Sequence, residues 1–308
     1  MSTCVGQRCA LRSRHWRRRA RSPRALLAAA AESEEKPTAA AATAAATAAA
    51  AAETRSSGSP SVSGLSPIEL PRHVAVIMDG NARWAEQHSL PQMQGHERGV
   101  ESLRRTLRCC LAWGVEALTV YAFSMENWRR EEGEVSYLLA LLERSLAAEL
   151  PELQRQGVRV CIAGDTRRLS PGLKNLIVRA VEETATNTRA TLTVALSYSA
   201  REDIVDAAKS IARRVRAGEL DPEEVDEAAF SAHLSTEAPF AEVGDPDLLI
   251  RTSGEMRLSN FLLWELAYTE LYFTETLWPD FDEAEFRRAL QCYASRHRRF
   301  GRRERGSL

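Results

Sequence analysis

From about residue 66 onward, short apolar runs alternate with longer stretches in which apolar residues recur every three or four positions. Residues 73–78 (H-V-A-V-I-M) form a nearly unbroken apolar run, the pattern of a strand buried on both faces. Residues 97–113 repeat Val100, Leu103, Leu107 and Leu111 along one helical face, and Gly114 supplies the stop. Residues 116–123 read as a second strand. Residues 134–156 read as a long helix carrying Val135, Leu138, Leu139, Leu142, Leu146 and Leu150 on one face. A third strand follows at 158–163, and Pro171-Gly172 opens a helix reaching residue 181. Further strands are expected at 191–196, 247–251 and 270–273, with helices over 201–215 and 281–300. Repeated strand–helix alternation predicts one α/β domain: a central, mostly parallel six-stranded sheet flanked by helices.

The amino-terminal part has a different composition. Residues 1–31 contain Arg8, Arg12, Arg14, Arg17, Arg18, Arg19, Arg21 and Arg24 and no acidic residue. Residues 38–52 are almost wholly Ala and Thr, and 54–66 are rich in Ser, Gly and Pro. Such a tract has too few large apolar side chains to offset the entropy of ordering itself. The expected organisation is therefore a transit peptide with a disordered linker over 1–66 and a folded domain over 67–308. Chloroplast is the preferred destination and mitochondrion the alternative. A nucleic-acid-binding arm and a poly-alanine helix are rival readings of the same residues.

Charge narrows little, since Lys+Arg 41 against Asp+Glu 42 nearly balance. The six cysteines form no C-x-x-C pair and none stands at zinc-ligand spacing from histidine. No apolar run reaches the about 18 residues that a membrane span needs, so membrane contact is expected to be peripheral at most.

The unusual residues gather where predicted strands end, which is where open parallel sheets bind ligands. After the first strand comes D-G-N-A-R-W. Asp79 is a hard oxygen ligand suited to Mg²⁺, Gly80 permits close backbone approach, Asn81 can donate and accept, and Arg83 can fork onto phosphate. The plainer reading makes Asp79 a helix cap and Arg83 a surface residue. After the second strand comes Ser124-Met125-Glu126-Asn127-Trp128-Arg129-Arg130, whose plainer reading is a connector with Trp128 folded onto the core. After the fifth comes Ile250 to Asn260, with Arg251, Arg257 and Ser259 as a phosphate cradle or a basic surface loop. No Walker-type loop, no G-x-G-x-x-G and no G-x-S-x-G elbow occurs, which leaves nucleoside triphosphate, dinucleotide and acyl chemistry without support.

H-V-A-V-I-M-D-G-N-A-R-W, Y-A-F-S-M-E-N-W and I-R-T-S-G-E-M-R-L-S-N-F-L-L-W-E-L-A-Y-T-E-L-Y-F closely resemble the signature regions of the cis-prenyltransferases, over about residues 67–303. The resemblance implies a sheet and helices enclosing an apolar tunnel, a homodimer, and Mg²⁺-dependent addition of isopentenyl diphosphate to an allylic prenyl diphosphate with a new cis double bond. It implies Asp79, Asn81, His96 and Asn127 as catalytic residues. It places Gly80, Arg83, Trp84, His96, Ser124, Asn127, Trp128, Arg130, Glu134, Arg251, Arg257 and Ser259 against substrate. It assigns the metal to Asp79 and, across the dimer, to Glu270. No nucleic acid is expected as a partner. The alternative is a non-catalytic subunit, but members of that kind have lost the aspartate-centred motif that this chain keeps. Two departures stand out: Gln92 where the family usually has arginine, and S-Y-S-A-R at 197–201 in place of N-Y-G-G-R.

Overall fold

A computed structural model describes residues 70–296. The expected leader over 1–66 and the end of the helix expected to reach residue 300 lie outside the described residues. Six strands form one sheet: β1 (His73–Ile77), β2 (Ala117–Ser124), β3 (Val158–Ala163), β4 (Ala190–Tyr198), β5 (Leu248–Arg251) and β6 (Glu270–Phe273). Their order is β3-β4-β2-β1-β5-β6 and every pairing is parallel. The sheet is therefore wholly rather than mostly parallel. β1 is buried along its whole length, which explains why it reads as a nearly unbroken apolar run, and β4 is buried throughout as well. β6 is the half-buried edge.

Side chains alternate across the sheet. Val74, Val76, Leu118, Val120, Val194 and Ile250 face a large core packed by α2 (Gln92–Trp113), α3 (Glu132–Arg155), α4 (Pro171–Thr184) and α8 (Glu283–Ala294). Ala75, Ile77, Ala195 and Leu249 face a smaller core with Phe240, Phe261, Leu262 and Leu266. Among the described residues the remaining α-helices are α1 (Asn81–Gln87), α5 (Ala200–Ala217), α6 (Glu227–Ser231) and α7 (Glu237–Phe240). α2 begins five residues before the expected start at 97, because its first turn, Gln92 to His96, has Met93 as its one large apolar side chain and so carries no repeat. α8 starts at Glu283 rather than 281, since Asp282 caps it by accepting from the Glu285 N–H.

The chain leaving β1 travels toward β2, while the chain leaving β5 travels toward β6 on the other side. The carboxyl ends of β1 and β5 thus border a topological switch point, where a crevice opens above the sheet.

Candidate active site

Asp79 stands just past β1. Gly80 follows at φ 107°, a left-handed backbone that turns the chain into α1. A side chain at Gly80 would meet Leu277 Cδ2 at 2.9 Å and Ser253 Cβ at 3.0 Å, so glycine is needed for space as well. Gly80, not Asp79, is the cap residue of α1, and no side chain caps that helix. The Asp79 carboxylate is therefore left for other work. Its backbone is clamped by Thr252, whose hydroxyl accepts from the Asp79 N–H at 2.9 Å and donates to the Asp79 carbonyl at 2.7 Å.

Arg251 ends β5 with its side chain only 4% exposed. Nη2 donates to Asp79 Oδ2 at 3.0 Å, and Nη1 donates to Ser259 Oγ at 2.7 Å and to the Arg257 carbonyl. Arg83, one turn into α1, donates to Ser253 Oγ at 2.6 Å, to the Ser253 carbonyl at 3.0 Å and to Asp79 Oδ1 at 3.4 Å. Burial alone would raise the Asp79 pKa. Hydrogen bonding to Arg251 and its charge, with Ser253 and Arg83, bring it below the ordinary carboxylate value. The carboxylate stays ionised at neutral pH. Ser253, Gly254, Ser259, Asn260 and Leu262 all have positive φ, so the loop after β5 is held in strained backbone.

These residues open into a cavity of about 980 Å³. Its mouth is lined by Asp79, Gly80, Asn81, Arg83, His96, Ser124, Asn127, Arg130, Arg251, Arg257 and Ser259. Its depth is lined by Leu103, Leu107, Leu138, Leu139, Leu142, Leu146, Leu192 and Val194, from α2, α3 and β4. The leucine faces seen in the sequence are thus split between core packing and cavity wall. Asn81 donates to the Met78 carbonyl at 3.2 Å, while its Oδ1 is buried without a partner. Arg251 Nε is likewise buried without one. Burial and the charge of Arg130 lower the His96 pKa against the opposing charge of Glu134. The imidazole is accordingly neutral near pH 7 and can both donate and accept.

Several of the remaining expected contacts are also tied into local structure. Ser124 and Asn127 form a capping box at the 3₁₀ turn Met125–Arg129: the Ser124 N–H donates to Asn127 Oδ1 at 3.0 Å and the Asn127 N–H to Ser124 Oγ at 3.2 Å. Trp128 does not line the cavity. It packs edge-on against Phe123, donates to Ser197 Oγ at 2.8 Å and lies under Arg168. The plainer reading of Trp128, folded onto the core, is the one observed. Trp84 is also outside the lining; it donates to Asp280 Oδ1 at 2.7 Å and stacks on His88. Glu134 pairs with Arg130 at 2.7 Å and is not itself among the residues lining the cavity. Glu270 begins β6, opposite Leu248, and pairs with Arg296 at 2.6 Å. It is at the amino end of its strand, while Asp79 lies beyond the carboxyl end of β1. Within one chain the two carboxylates do not share a site.

Sequence reasoning missed Thr252 and Ser253 as the clamps on Asp79 and Arg83, and Glu126, Tyr121 and Asn260 as cavity walls. Asn260 donates to Glu126 Oε1 at 3.0 Å and to Ser199 Oγ at 2.7 Å, tying the loops after β2, β4 and β5 together. The loops were recognisable by their polarity; the partners, up to 173 residues apart, were not.

A magnesium ion is held by one or two carboxylates together with substrate phosphates. Asp79 fits that role, being ionised and flanked by two arginines. Among the described residues no group of three or more His, Cys, Asp and Glu is placed to hold a metal alone. The donor set suits a metal that arrives with a diphosphate, not a preformed metal cage.

Comparison with known proteins gives concordant findings. The family described as undecaprenyl diphosphate synthase matches residues 77–301. The isoprenyl transferase of Prochlorococcus marinus is 48% identical over 249 residues, 81% of this chain and 92% of that protein. Dehydrodolichyl diphosphate synthase 2 of Arabidopsis thaliana is 48% identical over 76% of this chain and 75% of its own length. The crystal structure of lavandulyl diphosphate synthase from Lavandula x intermedia with dimethylallyl diphosphate superposes with a TM-score of 0.73 at 39% identity, covering 76% of this chain and all of that one.

Proposed function

The chain belongs to the undecaprenyl diphosphate synthase family of cis-prenyltransferases, and from that premise we propose how its own residues run the reaction. It is a transferase that condenses isopentenyl diphosphate with an allylic prenyl diphosphate to give a cis-polyprenyl diphosphate. The observation that carries the assignment of roles is Asp79, ionised between Arg251 and Arg83 at the mouth of an apolar cavity of about 980 Å³.

The difficult step is separation of diphosphate from an allylic carbon. Negative charge grows on the leaving oxygens, and fixed positive groups at that place lower the barrier most. Arg83 and the buried Arg251 supply them, and the unpartnered Arg251 Nε has a donor to give. Asp79 would hold Mg²⁺, which supplies Lewis-acid neutralisation of the diphosphate when bound. Neutral His96 hydrogen-bonds a phosphate oxygen without adding a charge that would tighten product release. Arg257 and Ser259 take the second diphosphate, that of the isopentenyl substrate. Asn81, at the cavity mouth, orients the isopentenyl carbon whose proton passes to an oxygen of the departing diphosphate as the new carbon–carbon bond forms. The leucine-walled depth takes the hydrocarbon, gaining about 0.8 kcal/mol per buried CH₂.

A role for Glu270 at the metal would require a second copy of the chain, so we extend the proposal to a homodimer. Sedimentation of the purified chain tests this; a monomer would exclude Glu270 from the metal. Residues 1–66 are proposed as a plastid-targeting leader on composition alone, and a fluorescent fusion of those residues that stayed in the cytosol would refute it. The catalytic reading itself is tested by incubating the full chain with farnesyl diphosphate, labelled isopentenyl diphosphate and Mg²⁺. Longer labelled prenyl products are expected from the native chain and none from Asp79→Ala; equal rates would defeat the assignment.

A further inference from the structure

β4 closes on the segment S-Y-S-A-R at 197–201, which takes no part in the chemistry proposed above. Phe123 of β2 stands opposite Leu196 and Ser124 opposite Tyr198, so Ser197 is the extra residue of a bulge. The faces agree: Ala195 and Tyr198, which a regular strand would send to opposite sides, both reach the smaller core. Ser197 takes φ 51°, a left-handed backbone that serine seldom adopts, and is 1% exposed. Its hydroxyl meets the 3₁₀ turn Met125–Arg129. Oγ accepts from Trp128 Nε1 at 2.8 Å and donates to Met125 Sδ at 3.2 Å. Between those two residues stand Glu126 and Asn127, both in the cavity lining. Two positions on, Ser199 Oγ accepts from Asn260 Nδ2 at 2.7 Å, and Asn260 follows Ser259 in the loop after β5. The end of β4 is thus bonded to both of the loops that flank the cavity mouth.

We propose that Ser197 is a positioning residue, whose hydroxyl fixes where Asn127 stands relative to Arg257 and Ser259 across the cavity mouth. The inference rests on the reading of the chain as a prenyltransferase and names a residue that serves the reaction without touching either substrate. Ser197 is absent from the cavity lining, so it acts only through Met125 and Trp128. Ser124 and Asn127 cap the turn from within, which fixes its shape but not its place. The place is set by one hydroxyl bonded on both sides of Asn127. Two substrates react fast only when the groups that hold them are aligned, and a misplacement of about 1 Å can cost about 10²-fold in rate. The bulge accounts for the left-handed backbone. Leu196 faces the larger core, so a regular β4 would turn position 197 to the smaller one, away from Trp128. A hydroxyl that merely satisfied the indole N–H would change stability when removed and leave the rate of the folded enzyme alone.

The test is steady-state kinetics of the full chain with farnesyl diphosphate, isopentenyl diphosphate and Mg²⁺, alongside thermal unfolding. Ser197→Ala is expected to lower kcat at least about tenfold while KM for each diphosphate stays within about twofold, which separates misalignment from lost binding. Should Ser197→Ala give no soluble protein, Ser197→Gly carries the same expectation, because glycine takes a left-handed backbone without strain. Trp128→Phe keeps the ring and loses the bond. Combined with Ser197→Ala it is expected to lower kcat no further than Ser197→Ala alone, since both remove one shared contact. A native kcat in the serine variant, whatever its melting temperature, would overturn the proposal and leave Ser197 a residue of the core. Losses that multiply in the double variant would overturn it as well. A native chain that incorporates no isopentenyl units defeats the transferase reading instead, a result that no property of Ser197 can produce.

Discussion

The guanidinium of Arg251 and the carboxylate of Asp79 meet at 3.0 Å, although 172 positions separate them in the chain. They are brought together because β1 and β5 pair in parallel, with Ile77 opposite Arg251. Asp79→Asn keeps the side-chain volume and removes the charge. It is expected to lower kcat/KM by at least about 10²-fold and to reduce stability by about 1–3 kcal/mol, because Arg251 is left buried beside a neutral amide. Steady-state kinetics with a denaturant titration checks both. Loss of stability without loss of rate would make Asp79 a structural residue.

Chelation provides a second check on the same carboxylate. Activity is expected to vanish in excess EDTA and return on adding Mg²⁺. Because the donors are one carboxylate and the substrate's own oxygens, the Mg²⁺ requirement should tighten as diphosphate substrate is added. A rate indifferent to EDTA would remove the metal from the proposed chemistry.

Gly99 on α2 faces Asn81. A Cβ at Gly99 would lie 2.4 Å from Asn81 Oδ1 and 3.0 Å from Trp278 Cδ1. Gly99→Ala is thus expected to push Asn81 from its buried position and to cost about 1–3 kcal/mol of overpacking. The predicted signature is a fall in kcat exceeding any change in KM for either diphosphate. A native kcat in the variant would show that the position of Asn81 is immaterial to the chemistry.

His73 links folding to pH. Its ring is buried, donating from Nδ1 to the Gly244 carbonyl at 2.8 Å, and Nε2 accepts from the Thr119 hydroxyl at 2.7 Å, so the ring is neutral. Burial lowers its pKa from 6.5 to about 4, against the smaller opposing effects of Gly244 and Asp247. Between those values the unfolded chain binds more protons than the folded one, so stability declines as pH falls. The loss attributable to His73 is about 3 kcal/mol across that window. Unfolding free energies measured from pH 7 to pH 4 should decline more steeply for the native chain than for His73→Gln. Parallel profiles would refute the linkage.

The tryptophans separate contact from support. Trp84 and Trp128 bond to Asp280 and Ser197 and lie outside the cavity lining. Trp84→Phe and Trp128→Phe keep the ring packing and lose one hydrogen bond each, so about 1 kcal/mol of stability should go. KM for both substrates should stay within about threefold of native, a free-energy change under about 1 kcal/mol. A tenfold rise in KM for Trp128→Phe would return that residue to the substrate.

Much of this molecule is legible in one dimension. The six strands and the main helices follow from apolar runs and three-to-four-residue repeats, because burial on one face or two imposes those periods on any chain. The chemistry of Asp79, Arg83 and Arg251 could also be read, since phosphate and metal sites need these residue types near glycine at strand ends. Tertiary structure alone decided which strand ends meet, and with that the clamping of Asp79 by Thr252, the burial of Arg251 and the placing of Glu270 at the opposite strand end from Asp79 within one chain. It also divided the leucines between core and cavity and set Ser197 against Trp128. Periodicity records that a side chain avoids water. It does not record whether protein or an empty space lies on the other side.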